Sequence, residues 1–166
     1  MTNAKLNVLL ATALDKAADN RAQADRIMKR FALAQALAVE EQLSDDDTRI
    51  VAAATALYDL NDDQVNPHDN EGDAFKPIVI TGYIKDLLDD ANLPVFEASA
   101  VGSLIAMQKH GTAIENNLHR LLLDINTLAT LDEPQTTVEE AKAAMETLTH
   151  ASAKRRLALL FGLDEQ

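Results

Sequence analysis

Residues Ile50–Asp63 read I-V-A-A-A-T-A-L-Y-D-L-N-D-D, and the rest of the chain is best understood around them. Every residue from Ile50 to Tyr58 is apolar or small, which predicts a helix surrounded by other helices. A carboxylate, Asp59, follows directly, and an unpaired ion held out of water costs several kcal/mol or more. We therefore expect Asp59 either to end its helix at the surface or to pair within a site.

The composition predicts a single all-α domain. A chain of 166 residues is long enough to bury about two-thirds of its unfolded surface as one domain. Apolar residues make up 47%, whereas five glycines and four prolines leave few places for turns. We expect residues 1–166 to form one helical bundle of seven or eight helices.

The charge and the missing cysteines exclude several classes of protein. A net charge of −12 opposes non-specific binding to nucleic acid or to an anionic membrane. The absence of cysteine excludes disulfides and zinc–thiolate sites. The N-terminal sequence M-T-N-A-K-L-N lacks the layout of a signal peptide, and no apolar run approaches membrane length. The expectation is a soluble, cytoplasmic, acidic protein.

Helical periodicity or composition marks six segments besides the central one. They are Asn3–Ala18, Ala24–Gln42, Pro77–Ala91, Ala98–Lys109, Ile114–Leu131 and Val138–Phe161. Ser44, followed by three aspartates, is predicted to cap the central helix, and Thr137 with Glu140 fits a capping box. The segment from Pro77 keeps a strand as its alternative, and the last segment is one helix or two with a hinge near His150.

Recognisable catalytic motifs are missing from the sequence. It contains no glycine-rich phosphate loop, H-E-x-x-H, D-x-D-x-D-G or G-x-S-x-G. No histidine lies three or four residues from another, so no single helix presents a pair of imidazoles. Three of the four are interpreted as surface or capping residues: His68, His119 and His150. His110 is the exception, because it ends an apolar helix just before Gly111.

Clusters of charge are interpreted as solvated helix ends. The acidic groups are Asp45–Asp47, Asp62–Asp63 and the trio Asp86, Asp89 and Asp90. A magnesium or calcium site needs several converging oxygens, which consecutive helical carboxylates do not provide. The basic run Lys154–Arg156 is expected to face water, with an anion site as its alternative.

Three segments, taken in order, resemble the HD-domain phosphohydrolase family. Asp25–Ala34 resembles the family's His-x-x-Arg-Val helix, and Ala52–Leu60 is similar to its A-A-L-L-H-D-I-G segment. Val101–His110, followed by Glu115–Leu131, is similar to its V-x-x-x-I-x-x-H and D-A-D-R-L-D helices. The order and the intervals agree over residues 20–131. The resemblance implies an HD-like helical domain.

The resemblance also implies that the metal site has been altered. In the family, a first histidine, a His-Asp pair and a later aspartate hold a divalent metal that activates water for attack on a phosphate ester. The corresponding residues here are Arg26, Tyr58, Asp59 and Asn126, so three of the four ligands are replaced. His110 matches an additional family histidine, and Lys29 stands for the family's arginine one turn after the first histidine.

A guanidinium cannot ligate a metal, because it has a permanent positive charge and no lone pair to donate. Its charge can, however, occupy the place of a lost cation. Our hypothesis is that Arg26 pairs with Asp59 and neutralises a carboxylate that the fold buries. Tyr58 would then fill the space of an imidazole and donate a hydrogen bond to Asn126 or Asp124.

These interpretations favour a degenerate family member, a pseudoenzyme kept as a binding or regulatory module without a resident metal. Arginine and lysine side chains suit a small anionic ligand such as a nucleotide or phosphate. The candidate pocket residues are Arg26, Lys29, Tyr58, Asp59, His110, Asp124 and Asn126.

Two alternatives stay open at this point. One is an active phosphohydrolase that acts on a nucleotide or phosphate ester, with manganese or magnesium held by Asp59, Asp124 and His110. The other is a structural helical interaction protein, for example a homodimer, with a filled centre and a large apolar surface patch.

Overall fold

The computed structural model describes residues 1–60, 82–109, 116–131 and 135–163. Within these ranges the chain forms eight α-helices and no β-strand, so the predicted all-α bundle is confirmed. The helices are α1 (Asn3–Lys16), α2 (Arg21–Glu40), α3 (Asp45–Leu57), α4 (Gly82–Asp90), α5 (Val95–Lys109), α6 (Asn117–Leu131), α7 (Val138–Thr147) and α8 (Ala151–Phe161). The strand alternative is wrong over Gly82–Asp90, and residues 77–81 lie outside the described ranges.

The central position predicted for α3 is confirmed. This helix packs against α1, α2, α5 and α6, and every residue from Ile50 to Leu57 is buried. Five of those eight side chains are alanine or threonine, which let neighbouring helices approach closely. The end of α3 is therefore enclosed by the bundle, and the turn formed by residues 58–60 starts from inside the protein.

Local capping explains where several helices begin. The Ser44 hydroxyl accepts a hydrogen bond from the Asp47 backbone N–H at 3.1 Å, as predicted, with three aspartates in the first turn of α3. The Asn20 side chain accepts from Gln23 N–H at 3.1 Å and starts α2 three residues earlier than the sequence pattern indicated. The Thr137–Glu140 capping box is present at the start of α7.

The last segment is two helices, which settles the alternative left open by the sequence. Leu148 and His150 both have extended backbone, and α8 begins at Ala151. Gly162 ends α8 in the left-handed region, with φ of 61°, a conformation that favours glycine. The junction from Leu148 to His150 places the start of α8 beside α6 and α2. No helix in the described ranges is long and apolar enough to cross a membrane.

Candidate functional site

Asp59 lies just beyond α3, in a short turn of 3₁₀-helix formed by residues 58–60. The residue is only 6% exposed, so the alternative that Asp59 ends its helix at the surface is wrong. Ionised carboxylates are almost never fully buried unless they are paired. The partners of Asp59 therefore determine what this part of the molecule can do.

Arg30 is the closest of these partners. Its Nη1 atom lies 2.5 Å from Asp59 Oδ1, and the residue is 7% exposed. Arg30 projects from α2, the helix that makes the most extensive packing with α3. Removing one partner of a buried ion pair strongly destabilises a protein, because the remaining charge has no solvent to stabilise it.

Arg26 forms the ion pair with Asp59 that the sequence predicted. Its Nε atom lies 3.5 Å from Asp59 Oδ2, and its side chain is 44% exposed. The pair therefore sits at the boundary between the protein interior and solvent. Gln23, one turn earlier, donates from Nε2 to the Asp59 backbone carbonyl at 3.4 Å. Three successive turns of α2 thus contact one residue at the end of α3.

Tyr58 contributes an aromatic face to the same cluster. The guanidinium carbon of Arg30 lies 5.0 Å from the centre of the Tyr58 ring, within the range of a cation–π contact. Arg30 is therefore held between a carboxylate and an aromatic ring. We define the arginine–carboxylate cluster as Arg26, Arg30, Tyr58 and Asp59.

The remaining predicted pocket residues fall in different places. Lys29 lies on α2 and Asn126 on α6, and both are half-buried. His110 lies outside the described residues. Asp124 is buried on α6, but its carboxylate is directed at the α7–α8 junction and is engaged there. Within the described ranges, no group of three histidine, aspartate or glutamate side chains converges as a metal site would require.

Asp124 and His150 form a second buried polar cluster. Asp124 Oδ1 accepts from Thr149 N–H at 3.0 Å, and Oδ2 accepts from His150 N–H at 2.8 Å. The His150 ring places Nδ1 2.8 Å from Asp124 Oδ2 and Nε2 3.1 Å from Asn117 Oδ1. Asp124 thus holds Thr149 and His150, the two residues just before α8, from another helix. His150 is the N-cap residue of α8, so the interpretation of it as a surface or capping residue is confirmed for the capping position and wrong for the surface, because its ring is buried against Asp124.

Two glutamates at the end of α2 fasten α8 to the bundle. Glu41 Oε1 accepts from Ser152 N–H at 3.2 Å, and the Ser152 hydroxyl beside it, together with that N–H, holds the pKa of Glu41 below its ordinary value. Glu40 pairs with Arg156 and, at 3.2 Å, with Arg155. The prediction that the basic run faces water is confirmed for Lys154 and Arg155, which are exposed, whereas Arg156 is half-buried. Both arginines also pair with Glu40 at the surface, which the sequence did not indicate.

Sequence reasoning passed over Arg30, although a signal for it was present. Arg30 stands four residues after Arg26 and three after Ile27, so helical periodicity places it between the polar face and the apolar stripe of α2. A buried arginine at that position needs a carboxylate, and Asp59 is the acidic residue at the end of the buried α3. His150 carried no comparable signal, because its partner Asp124 is 26 residues away in the chain.

No protein-family model, curated protein or solved structure matches this chain. The resemblance to HD-domain phosphohydrolases accordingly stays a prediction from the sequence.

Proposed function

We propose that this protein is a non-catalytic binding module on an HD-like helical scaffold, and that it takes a small phosphate-bearing ligand at the arginine–carboxylate cluster. One observation carries the proposal: two guanidinium groups lie against one buried carboxylate. Asp59 is the carboxylate that would ligate the metal in a metal-dependent hydrolase, and here it is paired with Arg26 and Arg30.

The charges disfavour a divalent cation beside Asp59. Two unit charges 4 Å apart interact with about 4 kcal/mol at an effective dielectric constant near 20, and a doubly charged ion doubles that figure. A metal bound to Asp59 would meet this repulsion from Arg30 and again from Arg26. In addition, Arg30 Nη1 at 2.5 Å occupies Asp59 Oδ1, so a metal would have to displace a buried ion pair.

The same charges favour an anion. Two guanidinium groups and one carboxylate leave the cluster with one positive charge in excess, in a chain whose net charge is −12. Arg26 is the accessible member of the cluster. Its guanidinium has five N–H donors, and its contact with one carboxylate oxygen at 3.5 Å does not use all of them. Arginine recognises phosphate oxygens through paired N–H donors, so a phosphate group is the chemistry that fits.

The test is a calorimetric titration of the protein with inorganic phosphate and, separately, with adenosine monophosphate. Arg21→Ala is a matched control for Arg26→Ala, because Arg21 is on the same helix, has the same charge and is exposed. We expect saturable binding that weakens about tenfold or more in Arg26→Ala and is unchanged in Arg21→Ala. Tighter binding of the nucleotide would indicate that a base or ribose subsite accompanies the phosphate site.

Three results would overturn the proposal. One is the absence of saturable binding of either ligand by the wild-type protein. A second is turnover of a phosphate ester that requires manganese and disappears in Asp59→Asn, which would establish the metal-dependent hydrolase instead. Equal weakening in Arg21→Ala and Arg26→Ala would also contradict it, since that result indicates only general electrostatic attraction.

A further inference from the structure

A groove runs between α7 and α8, on the side of the molecule formed by the last two helices. It has a volume of about 1030 Å³, at the upper end of the ~300–1,000 Å³ that small-molecule sites occupy. Its apolar lining includes Val138, Met145, Ala158, Phe161 and Leu163. The two helices are about 15 Å long at 1.5 Å per residue, and they form the two walls of the groove.

The charges around the groove are opposite in sign to those of the whole chain. Lys142, Lys154 and Arg155 line it together with a single carboxylate, Glu146, in a protein of net charge −12. Arg155 is paired with Glu40 at 3.2 Å. Lys142 and Lys154 are exposed, and neither has an ion-pair partner within the part of the chain that the structure describes.

Helix α7 is poorly covered by the protein itself. Of its ten residues, only Ala141 is buried, whereas Val138 is 42% exposed and Met145 is half-buried. Isolated helices of this length are marginal in water, and most helices gain their stability by burying an apolar face. The groove side of α7 therefore has the composition of a helix face that a partner covers.

We propose that the α7–α8 groove is a docking site for an acidic amphipathic helix of a partner protein. The apolar residues of such a helix, spaced three and four apart, would pack between Met145 and Phe161. Its carboxylates would lie against Lys142 and Lys154 at the rim. The proposal is independent of phosphate binding at Asp59, because the two sites share no residue.

Other occupants fit the observations less well. An anionic membrane surface is flat and needs a protruding basic face, whereas these cations flank a concave groove that also carries Glu146. Nucleic acid needs an extended cluster of positive charge, whereas the groove offers only three cations and also has Glu146 among its lining residues. A second copy of the chain, in a symmetric dimer, would bring two groove faces with the same cations against each other.

The experiment titrates the full chain, labelled with ¹⁵N, with a synthetic amphipathic helical peptide that carries leucines on one face and glutamates on the other. Amide shifts are followed by NMR, and the affinity by fluorescence anisotropy of the labelled peptide. We expect shifts centred on residues 138–146 and 151–163. A peptide with every glutamate replaced by lysine should bind roughly tenfold or more weakly.

Combining the charge reversals Lys142→Glu and Lys154→Glu should weaken binding of the acidic peptide about tenfold or more. Each of the two single reversals should weaken it more than Lys85→Glu, a single reversal at an exposed position on α4 that should leave the affinity unchanged. Circular dichroism checks that these variants are folded, and Met145→Ala gives a second, uncharged test of the groove. The proposal is overturned if the acidic peptide causes no saturable shifts, if the shifts lie elsewhere, or if Lys85→Glu weakens binding equally. Binding of anionic phosphatidylserine vesicles in place of the peptide would also overturn it.

Discussion

Arg30 and Asp59 form a buried ion pair across α2 and α3, with Arg30 Nη1 2.5 Å from Asp59 Oδ1 and both residues at most 7% exposed. The pair joins the end of the most enclosed helix to the longest helix of the described chain. Buried pairs add little net stability compared with apolar residues, but losing one partner leaves a charge without solvent. Substituting one member of the pair should therefore lower the free energy of unfolding much more than substituting both members by apolar residues.

Arg30→Ala should lower the free energy of unfolding by about 3–5 kcal/mol, because it leaves Asp59 charged and buried. Arg26→Ala should cost about 1 kcal/mol or less, because Arg26 is 44% exposed and its contact with Asp59 is longer. Urea unfolding followed by circular dichroism gives both values. A larger effect for Arg26 than for Arg30 would contradict the described geometry.

Replacing both members of the buried pair should be milder than replacing one. In Arg30→Met combined with Asp59→Leu no charge is stranded, so we expect stability within about 2 kcal/mol of the wild-type protein. A double-mutant cycle with the two single variants measures the coupling. Strictly additive losses would show that the two side chains do not interact in solution.

Asp124→Ala should destabilise the protein by about 3 kcal/mol, since Asp124 accepts hydrogen bonds from the Thr149 and His150 backbone and from the His150 ring. Asn117→Ala is the matched control: it removes the contact of His150 Nε2 alone and should cost about 1 kcal/mol. Chemical denaturation checks both. Equal losses would mean that the carboxylate does not hold the α7–α8 junction.

Stability should fall with acid through the carboxylate of Glu41. Its pKa is held below the ordinary value of 4.5 by the Ser152 hydroxyl and N–H, so near that pH the unfolded chain binds more protons than the folded chain. The contribution is fully present above about pH 4.5 and is lost as the pH drops through the lower folded pKa. Glu140, whose pKa is lowered by the Thr137 N–H and hydroxyl, adds a loss of the same sign.

The check is the free energy of unfolding measured from neutral pH down to about pH 3. Glu41→Gln should give a shallower decline in acid than the wild-type protein, because glutamine does not titrate. Ser152→Ala keeps the Glu41 carboxylate but removes the hydroxyl beside it, and it should also give a shallower decline than the wild-type protein. Identical slopes for Glu41→Gln and wild type would rule out the Glu41–Ser152 contact as a source of acid sensitivity.

The sequence was sufficient for the architecture, because helices are specified locally. The apolar run Ile50–Leu57 predicts a buried helix on its own. Ser44 and Thr137 are the N-cap residues directly before α3 and α7, and each is recognisable from the residues that follow it. The pairing of Arg26 with Asp59 was predicted from the resemblance, which places both residues where the HD-domain family has metal ligands. What failed was the choice among α2 side chains, since Arg30 lies between the polar and apolar faces, where periodicity alone does not decide burial.

The sequence pattern did not predict which side chains from distant segments contact each other. Asp124 was assigned to the same pocket as Asp59, yet its oxygens bind a junction 25 and 26 residues further along the chain. Arg155 and Arg156 were expected only to face water, and nothing in the sequence indicated that both also pair with Glu40 of α2. Which of several carboxylates faces a given cation depends on the angles at which helices pack, and the spacing within one helix does not fix those angles.

A titration of the purified protein with Mn²⁺ by isothermal calorimetry tests most directly whether guanidinium groups have taken the place of a metal at Asp59. We predict no saturable binding by the wild-type protein and the same featureless titration for Asp59→Asn. Binding of one Mn²⁺ per chain that is abolished by Asp59→Asn would contradict the account.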